Sequence, residues 1–168
     1  MLGDMIGDIA GSKYEFNNTF DYDFGMFGEG CDFTDDTICT VTIADAIQNG
    51  RSYQESLLDW CRSYYEDFDT RDYPKGKFDE TCMDAVPLSF YPLSQASFFE
   101  DAIRLAISHS GDSDTIGAIV GSIAEARFGI PQDMKDKAMN YLPKNMTRIY
   151  QQFKANNEIK KIDKKYKK

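Results

Sequence analysis

Two short acidic stretches each stand directly before a run of apolar residues with helical spacing, and they constrain the fold more than any other feature. They are Phe33–Thr37 (FTDDT) and Ser110–Thr115 (SGDSDT). Asp and Thr are preferred at helix N-caps, and the positive end of the helix dipole favours each carboxylate there by roughly 0.3–1 kcal/mol. Each stretch therefore predicts a helix whose first turn, called here its mouth, presents carboxylate and hydroxyl oxygens. The first helix is expected to end before Gly50 and to have an apolar face formed by Ile38, Val41, Ile43, Ala44 and Ile47.

Either stretch alone is explained adequately as an acidic N-cap. The pair permits a second interpretation, because converging mouths would bring together the four aspartates Asp35, Asp36, Asp112 and Asp114. Each like-charged pair about 4 Å apart costs on the order of 4 kcal/mol at an effective dielectric constant near 20, so cations or protons must then be present. Four negative charges balance two divalent ions, and all-oxygen ligands suit Mg, Mn or Ca rather than Zn.

The charge of the chain is unevenly distributed. Within a net charge of −9 over 168 residues, Lys154–Lys168 contributes +5, so residues 1–153 carry −14. Such an acidic body makes a nucleic-acid partner improbable. We predict one metal-binding helical domain at 1–153 and a basic C-terminal tail at 154–168, which is solvated and frayed unless it contacts an anionic partner.

The first residues lack the positive segment of a signal peptide, and no stretch is long enough to span a membrane. The cysteines Cys31, Cys39, Cys61 and Cys82 lack metal-ligand spacing and are expected to be reduced, mostly as small core residues. We expect a cytoplasmic protein with no membrane partner. A nucleophilic Cys82 activated by His109, the single histidine, is the alternative chemistry that these residues leave open.

The first twelve residues predict a helix with glycine on one face, because Gly3, Gly7 and Gly11 are spaced four apart. Glycine costs up to about 1 kcal/mol per helix position relative to alanine. Three on one face therefore indicate a close approach of the backbone to another helix or to a ligand, and the pattern leaves both alternatives open.

The rest of the chain also has mostly helical patterns. Ser52–Glu55 matches a capping box, and Pro131 is expected to begin a late helix. The other predicted segments are a loop at Asn17–Asp32, a polar connector at Asp67–Lys77, a short helix at Glu80–Tyr91 that Pro87 interrupts, and a helix at Phe98–Ile107. An all-α fold follows from this reading.

Three blocks of the chain resemble the ADP-ribosylglycohydrolases, and they occur in the order found in that family. They are Leu2–Phe16, Phe33–Thr37 with its helix, and Phe99–Pro131, together about half of the chain. The resemblance implies a compact orthogonal helical bundle, reduced in size, around two divalent cations, Mg or Mn. It also implies an enzyme that hydrolyses the N- or O-glycosidic bond of ADP-ribose on a modified protein or in a small conjugate.

The resemblance also implies a role for each matching residue. The implied metal ligands are Thr34, Asp35, Asp36, Asp112, Asp114 and Thr115. Asp35 or Asp36 would accept a proton from the attacking water, and Glu15, which matches a glutamate on a loop over the family's site, is the competing candidate. Carboxylates suit this reaction because glycosidic cleavage develops positive charge on the sugar.

The sequence departs from the family between the two acidic stretches. Family members carry a long middle section there, with a glycine-asparagine-glycine segment and a methionine-arginine pair that helps to hold the substrate, and this chain lacks it. The alternative function is therefore a catalytically degenerate module that binds metal or ADP-ribose. A calcium-binding EF-hand loop is excluded, because its twelfth position, counted from Asp112, is Ile123 where a bidentate Glu is needed. The oligomeric state stays open.

Overall fold

The computed structural model describes residues 1–64, 89, 92–109 and 111–166, and every regular element within them is a helix. The helices are α1 (Leu2–Ser12), α2 (Asp35–Asn49), α3 (Tyr53–Tyr64), α4 (Phe99–Ser108), α5 (Ser113–Phe128), α6 (Gln132–Met139) and α7 (Lys144–Tyr166). The predicted all-α class is confirmed. The connector Asp67–Lys77 and nearly all of the predicted helix Glu80–Tyr91 lie outside the described residues.

Helix α2 begins and ends at the residues that the sequence predicts. Thr34 is its N-cap, where the threonine Oγ1 accepts a hydrogen bond from the Asp36 backbone N–H at 3.4 Å. Gly50 ends the helix in the left-handed conformation, with φ of 63°. The first acidic stretch is therefore a helix mouth.

The apolar face predicted for α2 is partly wrong. Ile38, Val41 and Ala44 are buried, whereas Ile43 and Ile47 are 51% and 52% exposed. At 100° per residue, Ile43 points roughly 160° away from Val41, so the two side chains cannot face the same core. The buried stripe of α2 is narrower than its apolar composition suggests.

The glycine face of α1 packs against α5 in an antiparallel arrangement. Gly3 lies opposite Gly121, and Gly7 opposite Gly117, where a Cβ added to Gly117 would lie 2.5 Å from the carbonyl oxygen of Gly7. Gly11 continues the register against Ser113 at the start of α5. The close approach predicted from glycine spacing is therefore made to a helix, and it brings the end of α1 to the second mouth.

The hydrophobic core lies among α1, α4 and α5. Each of these helices contributes side chains that are at most 1% exposed: Leu2, Met5, Ile6, Ile9, Phe99, Ile103, Ile107, Ile116 and Val120. Moving one such side chain from full exposure to full burial stabilises the folded state by about 1.5–3 kcal/mol. This core fixes the orientation of α1 relative to α5, which positions the acidic residues at their ends.

A buried carboxylate joins α3 to α2. Asp45 accepts hydrogen bonds from the Trp60 indole N–H at 2.9 Å, the Ser56 hydroxyl at 3.3 Å and the Arg51 guanidinium at 3.2 Å. Burial alone would raise the Asp45 pKa, but these hydrogen bonds hold the pKa below its ordinary value. The capping-box prediction is confirmed for its N-cap half, because the Glu55 N–H donates to the Ser52 hydroxyl at 3.2 Å.

The predicted C-terminal tail begins as a continuation of α7. The helix runs through Lys154 to Tyr166, so the domain boundary predicted at residue 153 lies inside it. Of the cysteines, Cys31 is buried as expected, but Cys39 is exposed, and Cys82 lies outside the described residues. None of the described helices has both the length and the apolar character needed to cross a membrane.

Candidate metal centre

The two acidic mouths converge at one place, together with an aspartate from α1. One carboxylate oxygen from each of Asp8, Asp36 and Asp114 can be chosen so that all lie within 4.8 Å of one another. The Thr115 hydroxyl also donates a hydrogen bond to Oδ2 of Asp36 at 2.9 Å, which connects the mouth of α5 directly to that of α2. Three helices thus contribute to a single acidic cluster.

Asp8 organises the mouth of α2 from outside that helix. Its Oδ1 accepts a hydrogen bond from the Thr34 hydroxyl at 2.6 Å, and its Oδ2 accepts from the backbone N–H groups of Thr34 at 3.0 Å and Thr37 at 3.1 Å. The side chain is completely buried. Asp8 therefore caps the first turn of α2 together with the Thr34 hydroxyl.

The sequence prediction of ligands omitted Asp8, although a signal was present. The residue lies between Gly7 and Ile9 on a helix whose neighbouring positions are apolar or glycine. A carboxylate on such a face is buried, and buried carboxylates require hydrogen-bond partners or cations. The same reasoning applies to Asp4, which accepts a hydrogen bond from the Ser122 hydroxyl at 3.2 Å and whose pKa burial raises to about 6.

The three predicted ligands of the first mouth differ in their surroundings. Thr34 uses its hydroxyl to hold Asp8, Asp35 is exposed, and Asp36 is half-buried beside Thr115. Burial raises the Asp36 pKa, and the negative charges of Asp35 and Asp112 raise it further. Asp36 thus belongs to the group of closely spaced carboxylates with Asp8 and Asp114, whereas Asp35 is exposed to solvent.

In the second mouth, the Asp112 carboxylate does not cap the helix that follows it. Asp112 occupies the N-cap position of α5 but makes no capping hydrogen bond through its side chain. Asp114 is 4% exposed, and its Oδ1 accepts a hydrogen bond from the Thr115 N–H at 3.0 Å. The simple N-cap explanation therefore does not account for Asp112.

The pKa of the Asp114 carboxyl is raised far above its ordinary value. Burial, a hydrogen bond from its protonated form to Asp112 and the charge of Glu15 together raise its pKa to about 9. Glu15 follows α1 in the chain and is half-buried. Its charge acts on Asp114, so Glu15 lies within electrostatic reach of the second mouth.

A hard divalent cation fits this cluster on chemical grounds. Burial raises the Asp8 pKa to about 7, so near neutral pH Asp8 is about half protonated, and Asp114 retains its proton unless a cation replaces it. The candidate donors are carboxylate and hydroxyl oxygens, which Mg and Mn accept readily. The cluster therefore carries the charge and the donor atoms that such an ion requires.

Comparison with known proteins leads to one family. The sequence profile of the ADP-ribosylglycohydrolases matches residues 75–159, which include the second mouth. An uncharacterised protein from Archaeoglobus fulgidus is 28% identical over 129 residues, covering 71% of this chain. The aligned part is only 40% of the length of that relative. No solved structure matches the chain.

Proposed function

Since the chain belongs to the ADP-ribosylglycohydrolase family, we propose that it is a metal-dependent hydrolase that cleaves the N- or O-glycosidic bond of ADP-ribose conjugates. The substrate would be a protein that carries ADP-ribose or a related small conjugate. The observation that carries this proposal is the convergence of Asp8, Asp36 and Asp114 from three helices, because it supplies an oxygen-rich cation site in a family of glycoside-cleaving enzymes.

The proposed ligands are the oxygen-bearing residues of the two mouths: Thr34, Asp35, Asp36, Asp112, Asp114 and Thr115. We propose two divalent cations, Mg or Mn, which match the four negative charges of these residues. When bound, such ions would act as Lewis acids, lowering the pKa of water and anchoring the sugar hydroxyls. In this scheme Asp8 holds Thr34 and the first turn of α2 in place, and it adds a carboxylate oxygen close to those of Asp36 and Asp114.

The remaining chemistry is assigned to the side chains. Hydrolysis adds the hydroxyl of water to the anomeric carbon of the ribose, and the released group takes up the proton. A carboxylate must accept a proton from the water, and Asp35, Asp36 and Glu15 are the candidates. Asp36 has the stronger case, because its raised pKa makes it a better base than an ordinary aspartate once it is ionised. Carboxylate oxygens that lie close to the sugar would also favour the positively charged transition state.

A second candidate function follows from the short length of this chain relative to the protein that it matches. The chain spans 40% of the relative that it matches, so part of a substrate cradle found in longer proteins would be missing. A protein of this kind could bind metal or ADP-ribose without cleaving the conjugate. The two candidates differ in a single measurable property, which is release of free ADP-ribose.

The test is incubation of the purified protein with arginine-linked and serine-linked ADP-ribose conjugates. Parallel reactions contain Mg, Mn or a chelator, and chromatography measures free ADP-ribose. Release that requires the metal supports the hydrolase, and loss of release in Asp114→Asn ties the activity to the cluster. Metal-dependent binding of ADP-ribose without release supports the degenerate module. Absence of both metal binding and ADP-ribose binding by the wild-type protein would exclude both candidates.

A further inference from the structure

The side chain of Asn18 connects the loop after α1 to the residue before the second mouth. Its amide Nδ2 donates to the carbonyl oxygen of Gly111 at 2.8 Å, and its Oδ1 accepts from the Gly111 N–H at 3.1 Å. Both polar groups of one peptide residue are therefore paired with one side chain. Gly111 has φ of 101°, a conformation that glycine adopts without strain, and it immediately precedes Asp112.

The same amide also holds the segment that carries Glu15. Asn18 Nδ2 lies 2.7 Å from the carbonyl oxygen of Tyr14 and 3.2 Å from that of Glu15. The Ser113 hydroxyl, at the first position of α5, donates to the Tyr14 carbonyl oxygen at 3.3 Å. The two chain segments are thus joined through Asn18 and Ser113, which lie far apart in sequence.

Further contacts of Tyr14 tie this segment to its own loop. The Tyr14 hydroxyl donates to the carbonyl oxygen of Gly25 at 3.2 Å, and the Tyr14 ring packs edge-on against Phe24 with centroids 5.0 Å apart. These contacts hold the loop together. Asn18 also pairs with the residues directly before each of Glu15 and Asp112, so with Ser113 it joins the segment that carries Glu15 to the second mouth.

We propose that Asn18 is a positioning residue, which holds Glu15 against the second mouth in the arrangement needed for cleavage of the ADP-ribose conjugate. This inference rests on the proposed function. Asn18 itself is exposed, and it acts through two backbone segments rather than through the reacting atoms. Misplacement of a reacting group by about 1 Å can cost up to about 100-fold in rate.

The test compares Asn18→Ala with Asn17→Ala, which removes an exposed amide from the neighbouring residue. We expect Asn18→Ala to lower kcat on the order of 10- to 100-fold, with KM changed less than about threefold, and Asn17→Ala to leave both unchanged. Asn18→Asp keeps the acceptor for Gly111 but loses the amide donor, and we expect it to lower kcat as well. It also provides the measurement if the alanine variant does not fold.

A second readout does not depend on catalysis. Hydrogen exchange followed by NMR should show a protected Gly111 amide in the wild type and exchange at least about tenfold faster in Asn18→Ala. The Glu15 amide resonance should also shift in Asn18→Ala and stay in place in Asn17→Ala. Normal kcat in a folded Asn18→Ala protein, or equal Gly111 exchange in the two proteins, would overturn the positioning role. If the wild type cleaves no conjugate, the proposed function fails, and the exchange and resonance data alone decide whether Asn18 holds the two segments.

Discussion

The Thr34 hydroxyl donates a 2.6 Å hydrogen bond to the Asp8 carboxylate, across the gap between α1 and α2. Two backbone N–H groups of the α2 mouth donate to the other oxygen of the same carboxylate. The first mouth is therefore held by a residue on a different helix. Its geometry depends on α1 as much as on the acidic stretch itself.

Asp8→Asn should weaken both folding and metal binding. The asparagine offers one acceptor oxygen where the carboxylate offers two, so at least one of the three donors is left without a partner. We expect a loss of about 1–3 kcal/mol in the free energy of unfolding at pH 8. The affinity for Mn should fall on the order of 10- to 100-fold, as is usual when a group that orients metal ligands is lost. Urea denaturation and calorimetric titration measure the two effects.

The matched control for Asp8→Asn is Asp23→Asn, which removes the same charge from an exposed position. The control should leave stability within about 0.5 kcal/mol of wild type, as most surface substitutions do. If Asp8→Asn behaved like Asp23→Asn, Asp8 would have no part in holding the site.

Asp114→Asn should weaken metal binding strongly while changing the stability of the metal-free protein little. The Asp114 pKa is raised to about 9, so the metal-free protein at pH 8 holds mostly a neutral carboxyl that donates to Asp112. The asparagine amide can donate in the same direction, and we expect the free energy of unfolding without metal to change by less than about 1 kcal/mol. Metal affinity should fall by at least about 100-fold, because a charged ligand is lost.

Asp133→Asn is the control for Asp114→Asn, since Asp133 is exposed on α6 and pairs with Lys137 at 3.5 Å. It removes one negative charge and should leave metal affinity unchanged. Calorimetric titration with Mn compares the two variants directly. Full metal binding by Asp114→Asn would show that the cation site lies elsewhere.

The stability of the metal-free protein should decrease as pH rises above about 4. Burial raises the pKa of Asp8 to about 7 and, with its neighbours, that of Asp114 to about 9, from an ordinary value of 3.8 in the unfolded chain. The folded state therefore holds protons that the unfolded state has released. Their stabilising contribution is complete below pH 3.8 and is lost as pH rises through the folded-state pKa values.

Metal binding should reverse this trend, because a cation replaces the protons. The increase in Tm caused by Mg or Mn should therefore be larger at pH 8 than at pH 5. Differential scanning calorimetry at matched ionic strength compares the metal-free and metal-loaded protein. A metal-induced shift of equal size at both pH values would contradict the coupling of protons and metal in the cluster.

Gly7→Ala should strongly destabilise the protein. The added methyl group would overlap the backbone of Gly117, which cannot move away without displacing α5. We expect a loss of about 3 kcal/mol or more. Gly25→Ala is the control, because no atom lies within 4 Å of its added Cβ. Thermal denaturation of both variants measures the difference, and equal Tm values would show that α1 and α5 can separate without cost.

The helices could be predicted from sequence because their signals are local. Thr34 and Gly50 mark the two ends of α2, and the glycine spacing of α1 marks a close contact. The exposure of Ile43 and Ile47 could not be predicted in the same way. Burial depends on which side of α2 meets the rest of the molecule, and apolar composition alone does not specify that side.

The candidate site was predicted in part for the same reason. The two acidic stretches are local patterns, so the residues of the mouths could be named. Their convergence is a matter of tertiary structure, which the family resemblance implied and which no local pattern specifies. Asp8 and Asn18 contribute through partners that are 26 and 93 positions away in the chain. Contacts of this kind leave no periodic pattern in the sequence.

The glycine contact between α1 and α5 has a consequence for evolutionary change. Where backbone touches backbone, the separation of two helices is set by atomic radii and not by the volume of side chains that mutation can enlarge or trim. Neutral drift in the surrounding core therefore cannot gradually widen or narrow the gap between Asp8 and Asp114. Selection for new substrates would act on the loops around the cluster, while the spacing of these carboxylates is inherited unchanged.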